Sequence, residues 1–176
     1  MELPVKYKSQ HDPDAGLARG DCMETCLAMI LSYLYDTEIS TWPITKITGG
    51  SSRITTYPEL NYASESLGVH LENKHGQGRI EDSEALLKEG KPHIAIIDYS
   101  KADMWREDFD YNGFHAVLII GTLINTEPGQ EKQYIFNDPD FCTLDKKHKQ
   151  IIRSNTFEEA WAATGYQMII PTRGRK

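Results

Sequence analysis

Apolar residues recur with helical spacing between Cys22 and Tyr35, and this pattern predicts a helix with a wide apolar face. The positions on that face are Cys22, Cys26, Leu27, Met29, Ile30, Leu31, Tyr33 and Leu34. A face of this width is typical of a helix at the centre of a core. Asp21 precedes the helix and Glu24 follows three residues later, which is the arrangement of an N-terminal capping box.

Helix start and stop signals predict three further helices. Thr56 and Pro58 indicate the start of a second helix, which ends before Gly68. A third helix is predicted over 80–88, and a short one begins at Thr156. Residues 40–52 mix polar and apolar positions and predict no regular element.

Apolar runs predict strands, most of them in the second half of the chain. A short strand is expected at 69–71 and longer ones at 93–99, 114–121, 133–137 and 166–170. Helices followed by antiparallel strands are typical of the α+β class, with N-terminal helices packed on a C-terminal antiparallel sheet. We expect one domain over 1–176, with a mainly helical half at 1–90 and a mainly β half at 91–171.

Composition limits the classes of partner. The chain has 176 residues and a formal net charge of -7, which argues against nucleic acid as its main partner. No apolar run is long enough to span a membrane, and the N-terminus lacks the layout of a secretory signal. We therefore expect a cytoplasmic location; prior removal of a signal, or export without one, stays open.

The cysteines and histidines do not predict a metal site. The three cysteines are too few and too unevenly spaced for a disulfide framework or two paired zinc-ligand clusters. The six histidines are scattered, with no pair at helical spacing. We expect neither a metal nor another cofactor.

Cys22 is the candidate nucleophile. A cysteine on an apolar helix is usually a small buried hydrophobic residue, and that interpretation suits Cys26. Cys22 lies instead in the first turn, where unpaired N–H groups and the helix dipole favour a thiolate. Cys142 lies in a loop and has no helix start to activate it. A thiolate at residue 22 is suited to nucleophilic catalysis.

His115 and Asp138 are candidate partners of Cys22. Each has an ordinary alternative, a structural histidine at a strand start and an Asp-Pro turn. If the strands at 114–121 and 133–137 pair antiparallel, however, both residues fall at the same end of the ladder. We expect Asp138 to accept the Nδ1 proton of His115, leaving Nε2 to face the thiol.

Gln10 is the candidate oxyanion donor. Its ordinary interpretation is a surface glutamine in a loop. A side-chain amide upstream of a nucleophile can, however, donate to a developing oxyanion beside the backbone N–H of Cys22. The order Gln, Cys, His, Asp is much less easily obtained by chance than any one of its members.

The chain resembles papain-like cysteine peptidases of the bacteriocin-processing, double-glycine-leader type and their stand-alone relatives. The similar segments are Val5–Gln10, Asp21–Met29, Phe114–Gly121, Asn137–Pro139 and Phe157–Trp161. The resemblance spans nearly the whole chain and implies a papain-like fold with its active site in the cleft between the helices and the sheet.

By this resemblance Cys22 is the nucleophile, His115 the base, Asp138 the orienting acid and Gln10 the oxyanion donor. Two features depart from the family pattern. Met23 occupies the position of a glycine, and the separation between Gln10 and Cys22 is longer than is common in the family. We attribute the longer separation to an inserted loop.

The resulting hypothesis is hydrolysis of peptide bonds through a thioester, with a peptide or protein as substrate. The resemblance implies cleavage after small residues such as Gly-Gly. Two alternatives stay open. One is other thiol chemistry on the same scaffold, as in a deamidase, an acyltransferase or a transglutaminase-like enzyme. The other is a catalytically silent module that binds peptides.

Overall fold

A computed structural model describes residues 1–11, 21–49, 54–76, 79–102, 111–123, 131–141 and 149–174. Within these ranges the helices are α1 Cys22–Tyr35, α2 Thr41–Thr48, α3 Tyr57–Ser66, α4 Ile80–Lys88 and α5 Ser154–Ala162. The strands are β1 Leu71–His75, β2 His93–Asp98, β3 Phe114–Leu123, β4 Gln133–Asn137, β5 Lys149–Arg153 and β6 Gln167–Pro171.

The six strands form one antiparallel sheet in the order β1-β6-β2-β3-β4-β5. Helices α1 and α3 pack on one face, and α2 packs on these two helices. The shared core includes Leu27, Ile44 and Leu60. Helices α4 and α5 cover the other face, with Leu87 and Trp161 in a second core. Alternate residues of the central strands supply the two cores, as expected for a sheet buried on both faces. The α+β prediction is confirmed.

Most predicted elements are found, with two omissions. Helix α1 has the predicted bounds, and Thr56 and Glu59 form a capping box at the start of α3. Helix α2 was not predicted, although Ser40 caps it by accepting a hydrogen bond from the backbone N–H of Trp42 at 3.3 Å. Strand β5 was also missed. It is a partly exposed edge strand in which no residue is fully buried.

The N-terminal segment pairs with the middle of the sheet. The backbone N–H of Leu3 donates to the carbonyl of Ile120 at 2.8 Å, and that of Thr122 donates to the carbonyl of Met1 at 2.8 Å. Gly121 permits this approach, because a Cβ there would lie 2.6 Å from the Met1 carbonyl oxygen. The chain therefore enters along β3 before it turns toward the start of α1.

His93 belongs to the second core and is fully buried at the start of β2. Its Nε2 lies 3.0 Å from Oγ of Ser83 on α4. Burial lowers the pKa of His93 to about 4, while a hydrogen bond with the Lys91 carbonyl opposes that shift. His93 is therefore neutral at physiological pH.

The aromatic part of the second core gives a stability prediction. Trp161 is fully buried, contacts Phe157 and donates from Nε1 to the Gln167 carbonyl at 2.8 Å. We expect Trp161→Ala to lower the free energy of unfolding by about 3–5 kcal/mol, as typical for a buried tryptophan. The control Trp42→Ala removes a side chain that is 42% exposed and should cost below about 1 kcal/mol. Equal losses in urea unfolding would contradict this core assignment.

Candidate active site

Cys22 begins α1 and is partly exposed, whereas Cys26 lies one turn further on and is completely buried. The Cys26 thiol donates to the carbonyl of Ala116 at 3.6 Å. Burial, with the charges of Cys22, Asp138 and Glu24, holds the pKa of Cys26 well above its usual value. Cys26 is thus a core thiol, as predicted, and Cys22 is the accessible one of the pair. Cys142 lies outside the described residues.

The capping box predicted at the start of α1 is wrong. Asp21 makes no side-chain cap, and instead its Oδ2 accepts a hydrogen bond from Thr45 at 3.4 Å. Glu24 accepts hydrogen bonds from Thr48 at 2.8 Å and from Thr55. Helix α2 packs against this turn, and its hydroxyl groups engage both carboxyls in place of the backbone of α1.

His115 and Asp138 meet at the end of the β3–β4 ladder. The strands pair antiparallel with Leu118 opposite Asn137, so the predicted pairing is confirmed. Asp138 follows β4, and its Oδ1 lies 2.7 Å from Nε2 of His115. The predicted choice of ring nitrogen is therefore wrong. Nε2, the ring nitrogen farther from the backbone, reaches Asp138 at the end of β4. Nδ1 is then the ring nitrogen available to Cys22.

The His115 side chain is enclosed and is 5% exposed. Burial by itself lowers the pKa of His115. The charge and hydrogen bond of Asp138, with the hydrogen bond and charge of Cys22, outweigh burial and hold that pKa well above its usual value of 6.5. The ring also packs against Tyr99, with centroids 4.5 Å apart. The arrangement thus favours a charged imidazolium between a thiol and a carboxylate.

Gln10 lies against the turn that follows Asp138. Its backbone N–H donates to the Pro139 carbonyl at 2.9 Å, and its Nε2 donates to Oδ1 of Asp140 at 2.8 Å. Tyr7 supports the same contact by donating to the Asp138 carbonyl at 2.9 Å. Hydrogen bonds therefore connect Gln10 through Asp140 to Asp138 and His115, and Cys22 interacts electrostatically with His115.

Asp140 and Tyr99 are members of this hydrogen-bond network that were not predicted. The Tyr99 hydroxyl donates to Oδ2 of Asp140 at 2.8 Å, and the Asp140 backbone N–H donates to Oδ1 of Asp138 at 3.0 Å. The sequence does contain a signal for Asp140, because Asp138 and Asp140 are separated by one proline. A turn of this kind places both carboxylates near one strand end.

Two further features of the described ranges concern metals and membranes. No group of three or more His, Cys, Asp or Glu side chains there is arranged to hold a metal ion. In the same part of the chain, no helix is both long and apolar enough to cross a membrane.

The fold matches one known class, the papain-like cysteine peptidase fold. The family model described as "Peptidase_C39 like family" matches residues 2–169, and the chain belongs to this family. A search among curated proteins finds no match to this chain.

Three solved structures show the same fold at low sequence identity. A protein described as a C39-like peptidase from Bacillus anthracis is 21% identical, with a TM-score of 0.66 and coverage of 99% of this chain and 97% of that one. The peptidase domain of Streptococcus ComA, a bifunctional ABC transporter, is 17% identical, with a TM-score of 0.64 and coverage of 96% and 98%. A double glycine motif protease from an AMS/PCAT transporter, solved with its leader peptide, is 20% identical, with a TM-score of 0.61 and coverage of 97% and 93%.

The buried carboxyl beside Cys22 gives a prediction on stability and pH. Burial and the neighbouring Glu24 raise the pKa of Asp21 from 3.8 to about 6, although the Thr45 hydrogen bond opposes the shift. The folded protein thus favours the protonated form of Asp21 more than the unfolded chain does. The stability that this carboxyl contributes is complete below about pH 3.8 and is lost as the pH rises through about 6. We expect Asp21→Asn to raise the free energy of unfolding at pH 8 by about 1–3 kcal/mol.

Urea unfolding of Asp21→Asn at pH 5 and pH 8 measures this effect. The exposed control Glu159→Gln should show the wild-type pH dependence. If Asp21→Asn is less stable than wild type at pH 8, the prediction is wrong. The buried carboxylate would then stabilise the folded protein at that pH.

Proposed function

We propose that this protein is a cysteine peptidase that hydrolyses peptide bonds through a thioester on Cys22. In this proposal His115 is the base and acid, Asp138 orients it, and Gln10 donates to the oxyanion beside the Cys22 backbone N–H. We also propose that residues 1–176 act as one catalytic domain. Membership of the C39-like family supports the class of enzyme.

The observation that carries the proposal is the position of His115 between Cys22 and Asp138. The imidazole lies 2.7 Å from Asp138, and the charges of Asp138 and Cys22 are among the causes that raise its pKa well above its usual value despite burial. A charged imidazolium next to a thiol stabilises the thiolate, which is the reactive form of cysteine. The start of α1 adds the positive end of a helix dipole at the same sulfur atom.

The reaction follows from this geometry. The Cys22 thiolate attacks the peptide carbonyl carbon, and the carbonyl oxygen becomes an oxyanion. The imidazolium of His115 gives its proton to the leaving amine as the C–N bond breaks, which leaves a thioester on Cys22. Water then attacks the thioester carbonyl and gives a proton to His115. The carboxylic acid product leaves, and the pair of Cys22 thiolate and His115 imidazolium is restored.

Two exposed aromatic side chains, Tyr111 and Phe114, lie just before His115 and suit an extended peptide substrate. Phe114 precedes His115 and is 58% exposed, and its carbonyl accepts a hydrogen bond from Tyr111 at 2.8 Å. Burial and the charge of Cys22 raise the pKa of Tyr111, in keeping with a position near the thiol. The double glycine motif protease was solved with its leader peptide, and by this similarity we propose a peptide with a Gly-Gly site as the substrate of this protein.

The nucleophile is tested by alkylation. We expect iodoacetamide at neutral pH to label the tryptic peptide that contains residue 22, and Cys22→Ala to abolish that label. Cys26→Ala should keep the Cys22 label, because the Cys26 thiol is buried and protonated. Labelling of Cys22 no faster than of a free thiol would contradict its activation.

Peptide hydrolysis is tested with an extended peptide that contains one Gly-Gly site. Mass spectrometry should show two fragments with the wild-type protein and intact peptide with Cys22→Ala. A one-dalton change or a crosslink would instead indicate deamidation or acyl transfer. Intact peptide with both proteins would contradict peptidase activity on this substrate class.

The role of Asp138 is tested through the charge on His115. Asp138→Asn removes the charge that raises the His115 pKa, so the imidazolium and its paired thiolate become scarcer at pH 7. We expect the rate of Cys22 alkylation at pH 7 to fall about tenfold or more, because the protonated imidazole loses a charge-assisted hydrogen bond. The exposed control Glu89→Gln, at the end of α4, should react at the wild-type rate. An unchanged rate for Asp138→Asn would contradict the proposed role.

A further inference from the structure

Asp140 connects the amide of Gln10 to the rest of the site. Its side chain is 12% exposed, and Oδ1 accepts from Gln10 Nε2 at 2.8 Å. Oδ1 also lies 3.0 Å from Nε2 of His11, and Oδ2 accepts from the Tyr99 hydroxyl at 2.8 Å. A carboxylate accepts these bonds more strongly than a neutral oxygen does.

We propose that Asp140 is a positioning residue that holds the Gln10 side-chain amide in the orientation needed for oxyanion stabilisation. This inference rests on the proposed function, in which Gln10 is the oxyanion donor.

The contacts of Asp140 determine which end of the amide faces it. A carboxylate accepts hydrogen bonds and repels another oxygen, so it selects the N–H₂ end of the Gln10 side chain. Gln10 has two N–H donors on Nε2, and the Asp140 bond uses one of them. The other remains for substrate. Oε1 of Gln10 is buried and has no hydrogen-bond partner among the described residues, so the Asp140 bond is what orients the group.

The backbone around Gln10 supports the same role. The backbone N–H of Gln10 donates to the Pro139 carbonyl, and Ser9 Oγ donates to the same oxygen at 3.4 Å. These bonds join the N-terminal segment to the turn after β4. The main chain is therefore held independently of the Asp140 carboxylate. Loss of that carboxylate should free only the Gln10 side chain, whose long flexible stem otherwise visits several rotamers.

The Asp140 side chain can be removed without disturbing the contact to Asp138. It is the backbone N–H of Asp140 that donates to Oδ1 of Asp138, and Asp140→Ala keeps this group. The bond between Asp138 and His115 should therefore persist in the variant. This separation allows the oxyanion step to be measured apart from activation of the thiol.

Two reagents distinguish these functions. Iodoacetamide reacts by attack of the thiolate on a CH₂ carbon with loss of iodide, and no oxyanion forms. p-Nitrophenyl acetate reacts by attack of the same thiolate on a carbonyl carbon, through an oxyanion, with loss of p-nitrophenolate. The ratio of acylation to alkylation rates at Cys22 therefore reports oxyanion stabilisation, whatever the natural substrate.

The experiment measures both rates for wild type, Gln10→Ala, Asp140→Ala and the double variant. We expect Gln10→Ala to lower acylation about 100-fold or more, as for loss of one oxyanion donor, with alkylation nearly unchanged. Asp140→Ala should lower acylation at least about tenfold, again with alkylation nearly unchanged, and should have no further effect in the Gln10→Ala background.

Asp140→Asn is the conservative variant. It keeps an acceptor oxygen for the Gln10 amide and should recover most of the acylation rate that Asp140→Ala loses. The control Glu159→Gln changes an exposed carboxyl on α5, and its acylation and alkylation rates should both stay at the wild-type values. Thermal unfolding of each variant identifies any that fails to fold, and Asp140→Asn then provides the comparison.

Every other outcome contradicts either this inference or the proposed function. If Gln10→Ala loses acylation and Asp140→Ala does not, this inference is wrong and the proposed function stands. Additive losses in the double variant, or equal losses of alkylation, show that Asp140 acts other than through Gln10. If Gln10→Ala acylates at the wild-type rate, the oxyanion role of Gln10 and this inference both fail. A wild-type Cys22 with no enhanced reactivity toward either reagent overturns the proposed function and this inference with it.

Discussion

The contact between His115 and Asp138 is the interaction on which the rest of the site depends. Both side chains are removed from solvent, where an isolated charge is strongly disfavoured. At 2.7 Å the carboxylate reverses that preference and keeps the imidazole charged. The geometry comes from the sheet, because β3 begins and β4 ends at the same edge of the ladder. A register shift between these strands would separate the pair.

The turn after β4 has a second task, because it also receives the N-terminal segment. Tyr7 and Gln10 bind backbone carbonyls of this turn, and the same segment pairs with β3 at its other end. Hydrogen bonds thus hold the N-terminal segment against the turn that begins at Asp138. In this segment Tyr7 holds the backbone against the turn, and the side chain of Gln10 contacts Asp140.

The sequence predicted the parts of the fold that rest on strong apolar patterns. Helix α1 and strands β3 and β4 are buried over most of their length, and their patterns were clear. Helix α2 and strand β5 have few apolar residues and depend on neighbours for stability, so no local pattern revealed them. The side-chain partners of Asp21 and the ring nitrogen that faces Asp138 depend on how distant elements pack, and sequence reasoning assigned both incorrectly.

An NMR titration of the histidine side chains in the folded protein would show whether Asp138 keeps His115 charged. We expect His115 to remain charged well above pH 6.5, because Asp138 and Cys22 outweigh its burial. His93 provides an internal comparison, since it is similarly buried, bonds to the Ser83 hydroxyl in place of a carboxylate and should be neutral above about pH 4. A His115 that loses its charge at or below the usual histidine value, as His93 does, would contradict the account.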